Sequence, residues 1–240
     1  MTTPQTSPPL ARAATLYRAG DPFSTAELQV LAADGALEHV IEDVYAPVYE
    51  GRNPLLRAQA ARRLLPKRVS ASSTMCGESA AWVHLGGAAP ARLVLISDVF
   101  RRGRASGAPL WQTHQSRLEE DDVDDVGGVA VTTPLRTASD LFLGLGTLQS
   151  RRPLDLVIDE SPGAPSTDPF AGASDESPAS MRRWRLIADL LGATREEAAV
   201  EELVTRISRS VTRRRHDRDR LPRIRSLVIQ CASRRLPTVR

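Results

Sequence analysis

TTPLRTASDL, from Thr132 to Leu141, follows the glycine pair Gly127 and Gly128 and reads as the junction of a strand and a helix. Val129 to Thr132 is expected to be an edge strand. Thr133 can cap the helix, and Pro134 fits its first turn, where a missing N–H costs least. Arg136 and Asp140 then lie four residues apart on one helical face. As a functional pair they would contact a phosphate or a partner. As a structural pair they would cap the helix and pin it against the preceding strand. The structural reading is preferred, because the aspartate neutralises an arginine meant for a phosphate.

Upstream of this junction, Leu10 to Ala19 is expected to form a short helix stopped by Gly20, behind a Pro/Ser/Thr lead over residues 1–9. Ser24 and Thr25 can cap a second helix running to Asp34, with Gly35 as its stop, and Leu37 to Tyr45 reads as a hairpin turning at Glu42 and Asp43. Pro54 opens a helix to about Leu65. Leu55, Leu56, Ala60 and Leu64 fall on one side of it, Arg57, Arg62 and Arg63 on the other, and Pro66 ends it. Arg68 to Ser73 and Arg92 to Ser97 read as strands around a helix from Ser79 to Leu85, and Leu110 to Gln115 as a further strand. EEDDVDDV, Glu119 to Val126, places six acids in eight positions. It lacks the glycine turn and ligand spacing of a calcium loop and is expected to be a solvated loop.

Downstream, Gln149 to Ser180 is rich in Pro, Ser, Asp and Gly, as a linker or long loop is, with Leu154 to Ile158 as its one candidate strand. Helical spacing returns at Met181 and is expected to stop at Gly192, and Thr194 with Glu197 makes a capping box for a following helix. On that helix Val200, Leu203, Val204, Ile207 and Val211 repeat at helical spacing, alongside Arg206, Arg209, Arg213, Arg214 and Arg215. A last short helix is expected over Pro222 to Ala232.

Charge is unevenly placed. Residues 181–240 carry 16 arginines against seven acids, a balance of +9, whereas residues 1–180 hold 16 basic and 22 acidic groups, a balance of −6. A basic tail on an acidic body suits a polyanion, or docking of the tail on its own body. Lys67 is the only lysine. Arginine grips phosphate in a fork, which favours nucleic acid, and a GC-rich genome gives the same bias with no function behind it.

No stretch approaches the roughly 20 apolar residues that cross a bilayer, and the first residues lack the pattern of a signal peptide, so a cytoplasmic protein is expected. Cys76 and Cys231 belong to no metal or redox spacing and are expected to be buried thiols. The four histidines, His39, His84, His114 and His216, are scattered over separate elements. Phosphate-binding loops and nucleophile elbows are lacking, and no enzyme activity, metal or cofactor is expected.

The order of three segments carries a resemblance. Gly35 to Tyr45 matches the pattern G-x-L-x-x-V-x-x-x-V-Y, Ser79 to Gly86 carries SAAW, and Val131 to Leu141 matches V-T-T-P-x-R-T-x-x-D-L, with an Ala/Leu-rich helix between the first two. In this the chain resembles the AbiEi-like antitoxins of type IV toxin–antitoxin systems, over residues 23 to 145. The resemblance implies an N-terminal winged helix, DNA binding with repression of the protein's own promoter, and a nucleotidyltransferase toxin as partner. Its motif residues are Ser79, Trp82, Gly86, Thr133, Pro134, Arg136, Thr137 and Asp140, expected to be structural.

The expected fold class is therefore α+β. A winged-helix-like unit spans residues 10–48, an α/β domain 49–148, a flexible linker 149–180 and a basic helical region 181–240. The segment Thr25 to His39 offers only Gln29 as a base reader, and the hairpin turn presents two acids. DNA contact is thus expected from Arg57, Arg62, Arg63 and Arg68, or from the tail, chiefly Arg213, Arg214 and Arg215 with Arg206 and Arg209. The alternatives are that these arginines pair with the acids of Glu119 to Asp125, or that the protein is an interaction module with a degenerate wing.

Overall fold

A computed structural model describes residues 13–97, 110–144, 178–194 and 201–207. The expectations for Leu154 to Ile158, Pro222 to Ala232, Cys231, His216, Arg209 and Arg213 to Arg215 lie outside the described residues, as do residues 1–9 and most of 149–180. The fold is α+β, with two sheets.

The first sheet is small. β1 (Tyr17–Arg18) leads to α1 (Thr25–Ala33), and then to a hairpin of β2 (Leu37–Ile41) and β3 (Val44–Pro47), in the order β1-β3-β2. Ser24 and Glu27 form a reciprocal capping box on α1, which satisfies two backbone donors that the first turn leaves open. The hairpin turns at Glu42, whose φ of 50° is a left-handed conformation held by the closing strands. The helix expected over Leu10 to Ala19 does not form in its described part. Ala13 to Leu16 has no regular structure, and Tyr17 and Arg18 pair antiparallel with Tyr45 and Val44. Two residues of strand have no local signature, and the partner strand decides their conformation.

The second sheet has the order β6-β5-β4-β8-β7, from β4 (Thr74–Met75), β5 (Leu93–Ile96), β6 (Trp111–His114), β7 (Val123–Asp125) and β8 (Ala130–Thr132). α2 (Pro54–Arg63) and α3 (Lys67–Ser70) precede it, α4 (Gly77–Leu85) joins β4 to β5, and α5 (Pro134–Phe142) follows β8. Three expectations are corrected here. Residues 68–73 are largely helix and turn, because Pro66 opens the short α3 and only Thr74 and Met75 reach the sheet. β8 is not an edge strand but lies between β4, to which it is parallel, and β7. The acidic stretch is solvated at five of its six acids, as expected, but it is not a loop: Glu120–Asp122 forms a 3-10 turn, Val123–Asp125 forms β7, and Asp122 is buried.

Two cores unite these parts. The larger gathers Leu56 and Ala60 of α2 and Leu64 just after it, Trp82 and Val83 of α4, and Leu93, Leu95 and Val131 of the sheet, and it continues into Ile41, Val44 and Ala46 of the small sheet. The second joins Ala81, Ala138, Leu141 and Phe142 to Ile187, Leu190 and Leu191 of α6 (Pro178–Thr194) and to Leu203, Val204 and Ile207 of a helical run over 201–207. Apolar packing thus crosses the expected boundaries near residues 48 and 180. α6 begins at Pro178 and runs through Gly192, where a stop was expected. Burial of Leu190 and Leu191 continues the helix's apolar face to that point and outweighs the roughly 1 kcal/mol that a mid-helix glycine costs. No helix among the described residues is long and apolar enough to cross a membrane.

Candidate functional site

The motif around Pro134 folds as a buried electrostatic knot. Thr133 caps α5 through the Arg136 amide, and Thr137 donates to the Thr132 carbonyl at 3.1 Å, tying helix to strand. Arg136 is 9 % exposed, and four of its five guanidinium donors are used: Nε reaches Asp140 at 2.9 Å, Nη1 reaches Asp122 at 2.5 Å and the Arg117 carbonyl at 3.0 Å, and Nη2 reaches Ser116 at 2.8 Å. The pair forms, as its spacing suggested, and Arg136 ties the acidic stretch to the helix as well.

Burial raises the Asp140 carboxyl to about 6, against the pull of Arg136, and its Oδ2 has no hydrogen-bond partner among the described residues. Burial also pushes Asp122 up, but the Glu119 amide and the Arg136 and Arg206 guanidiniums outweigh it and hold the group below its ordinary value. Burial, reinforced by the nearby Asp140 charge, pushes the Cys76 thiol well up, leaving it an uncharged core group.

The remaining motif residues are packed. The Ser79 hydroxyl accepts the Val94 amide at 2.7 Å, Trp82 is in the core, and Gly86 ends α4 at a φ of 82°. A Cβ on Gly86 would be strained by the backbone and would lie a tight 3.2 Å from the Arg57 guanidinium, so the position favours glycine. His84 bonds through Nε2 to the Thr132 carbonyl at 2.7 Å, as a packed histidine.

Two expected DNA contacts are used up inside the fold. Arg57 is buried, not on an exposed helix face. It donates to the Val83 carbonyl from Nε at 3.0 Å and from Nη2 at 2.7 Å, to the His84 carbonyl at 3.3 Å and to the Arg52 carbonyl at 3.1 Å. These acceptors include carbonyls of the last turn of α4, which lack helical partners and carry the negative end of the dipole. Arg206 pairs with Asp122, with Asp121 at 3.4 Å and with Glu202 at 2.8 Å. For this arginine the tail does pair with the acidic stretch. Arg183, which carries no signal in the sequence, caps α5 as Arg57 caps α4, donating to the Leu141 carbonyl at 3.2 and 2.5 Å. Periodicity and spacing do not find such a contact, because its acceptor is backbone.

The other candidates are exposed. Gln29 lies on the open face of α1, which carries no basic residue. The acids of the hairpin are partly answered: Arg18 Nε bonds both Asp43 oxygens, and Arg52 holds Glu38 at 2.7 Å. At the corner between α2 and α3, Arg62, Arg63, Lys67 and Arg68 are all exposed, and none forms an ion pair among the described residues. Arg62, Arg63 and Lys67 line an open cleft of about 890 Å³ reaching Ser70, Ser73 and Gly128. Arg62 is steadied by the Gly128 carbonyl at 3.1 Å, and Gln59 by that of Gly127 at 3.1 Å. One acid, Asp125, shares the cleft, with Oδ1 occupied by the Gly128 amide at 2.6 Å. Two arginines and a lysine around an open cleft can hold phosphate oxygens, whereas the described residues gather no group of three His, Cys, Asp or Glu side chains able to hold a metal ion. No protein-family model matches the chain, and a comparison with curated proteins finds no match.

Proposed function

We propose that the protein is a DNA-binding transcriptional regulator of the type IV antitoxin kind, gripping the phosphate backbone through the α2–α3 corner. The observation that carries this reading is the exposed set Arg62, Arg63, Lys67 and Arg68, clustered within seven positions and free of carboxylate partners among the described residues. Unpaired surface cations along one corner are the electrostatic footprint of a polyanion. The helix-then-hairpin arrangement of α1, β2 and β3 supports a winged unit, in which Gln29 would read bases while the corner holds the backbone. Repression of its own promoter and neutralisation of a nucleotidyltransferase toxin belong to the same reading and rest on the sequence resemblance.

Binding of the chain's own promoter fragment, followed by fluorescence anisotropy against salt concentration, tests it. Changing Arg62, Arg63 and Lys67 together to Ala flattens the logarithmic salt slope by about 2 to 3 units, at about 0.9 for each phosphate no longer neutralised. An unchanged slope overturns this location of the grip.

A second reading, an interaction module that does not bind DNA, is favoured by one specific observation. The N-terminal unit exposes Val30, Val48 and Tyr49 at 58 %, 51 % and 75 %, on a surface whose helix offers no cation. Absence of DNA binding by the unaltered chain would favour it.

A further inference from the structure

We infer that the pocket formed by the start of β4, the end of β5 and the segment following β6 is a binding site for a small phosphomonoester. The pocket is open and holds about 580 Å³, within the range of small-molecule sites. Its polar lining is made of donors. Arg117 is exposed and unpaired, and the Thr74 hydroxyl and the Gln115 amide have no partner among the described residues. The Ser116 hydroxyl accepts from Arg136 at 2.8 Å and so keeps its own proton to give. No carboxylate among the described residues lines the pocket. A guanidinium fork, two hydroxyls and an amide exceed what the two oxygens of a carboxylate can take up, and they match the three terminal oxygens of a phosphate.

Ile96 and Leu118 supply an apolar side, and the volume far exceeds inorganic phosphate, so the ligand carries a carbon skeleton as an ester. The polar wall is held in advance. Arg136 is fixed between two aspartates and bonds both Ser116 and the Arg117 carbonyl at 3.0 Å, so little ordering remains to be done when an anion enters.

Isothermal titration and amide chemical-shift mapping of the full chain with phenyl phosphate, benzoate and inorganic phosphate test the site. Phenyl phosphate should bind about tenfold or more tightly than either reference ion, with shifts centred on Thr74, Ser97 and Ser116. Arg117→Ala should weaken it about tenfold, and Arg117→Lys, which keeps the charge and loses the fork, by less. Arg117 is exposed, so neither variant threatens folding. The double variant Arg62→Ala/Lys67→Ala should bind phenyl phosphate as the unaltered chain does. Equal binding by Arg117→Ala, shifts centred on Arg62 and Lys67, or no binding at millimolar phenyl phosphate would each overturn the assignment, whatever becomes of DNA binding.

Discussion

Around α4 and α5, Arg57, Arg136 and Arg183 are buried, each wrapped by carbonyls or carboxylates, whereas at the α2–α3 corner Arg62, Arg63, Lys67 and Arg68 stand in solvent. Composition does not distinguish the two groups, and Arg57 and Arg62 even share one helix. What separates them is the supply of acceptors. A helix C-terminus offers carbonyls without partners, and a buried aspartate requires a cation, so an arginine reaching either is consumed by the fold. An arginine that meets neither keeps its fork for a ligand. Counting arginines therefore overstates a nucleic-acid footprint until their acceptors are known.

The contrast is broken most severely at Arg136. Arg136→Met leaves Asp140 and Asp122 without their main cation, and a loss of about 3 to 5 kcal/mol is expected in urea unfolding, the usual cost of uncompensated buried charge. Arg136→Met combined with Asp140→Asn should recover part of it. A loss below about 1 kcal/mol would mean that the knot is dispensable.

Acidity probes the same knot with a smaller effect. The folded-state value of Asp140 is raised to about 6 from 3.8, so its ionised form carries a burial penalty at pH 7 that is relieved as pH falls through 6. The linkage amounts to about 3 kcal/mol at most, at 1.36 kcal/mol per unit. Asp122 works the other way, because its lowered value gives stability that is present above pH 3.8 and lost as pH falls further. Stability should rise as pH falls from about 6 towards 3.8, and fall below that as Asp122 is protonated. Asp140→Asn should remove the rise, and a persisting rise in that variant would assign it to another group.

The smallest effect sharpens the comparison from its other side. Changing Arg63, Lys67 and Arg68 to Ala should move stability by under about 0.5 kcal/mol, as exposed groups do, against about 1 to 3 kcal/mol for Arg57→Ala with its buried carbonyl acceptors. Thermal melting of the two variants side by side reads the difference. Equal losses would erase the distinction between structural and available arginines.

Local chemistry was legible from the chain alone. The Ser24 cap of α1, the Thr133–Pro134 start of α5, the hairpin and the apolar run of β5 all depend on neighbours in sequence, and all formed where their residues indicated. So did the Arg136–Asp140 pair, because a spacing of four closes within one helix. The exposed side of Arg62 and Arg63 was likewise readable from helical periodicity.

Tertiary structure decided the rest, because each such outcome depends on a partner distant in sequence. Tyr17 and Arg18 became a strand only by pairing with β3, β8 became interior only when β7 and β4 flanked it, and Gly192 stayed helical because α6 is buried against α5. Asp122 turned from a solvent-facing acid into the bridge between Arg136 and Arg206, residues 14 and 84 positions away. Arg57 found carbonyls 26 residues downstream, and backbone acceptors leave no mark in a sequence. The chain by itself determined where α1, α2 and α5 begin and where the hairpin turns, since capping and periodicity act over a few residues. The fold determined which arginines remain free for a ligand, since that depends on every acceptor that packing brings within hydrogen-bonding reach.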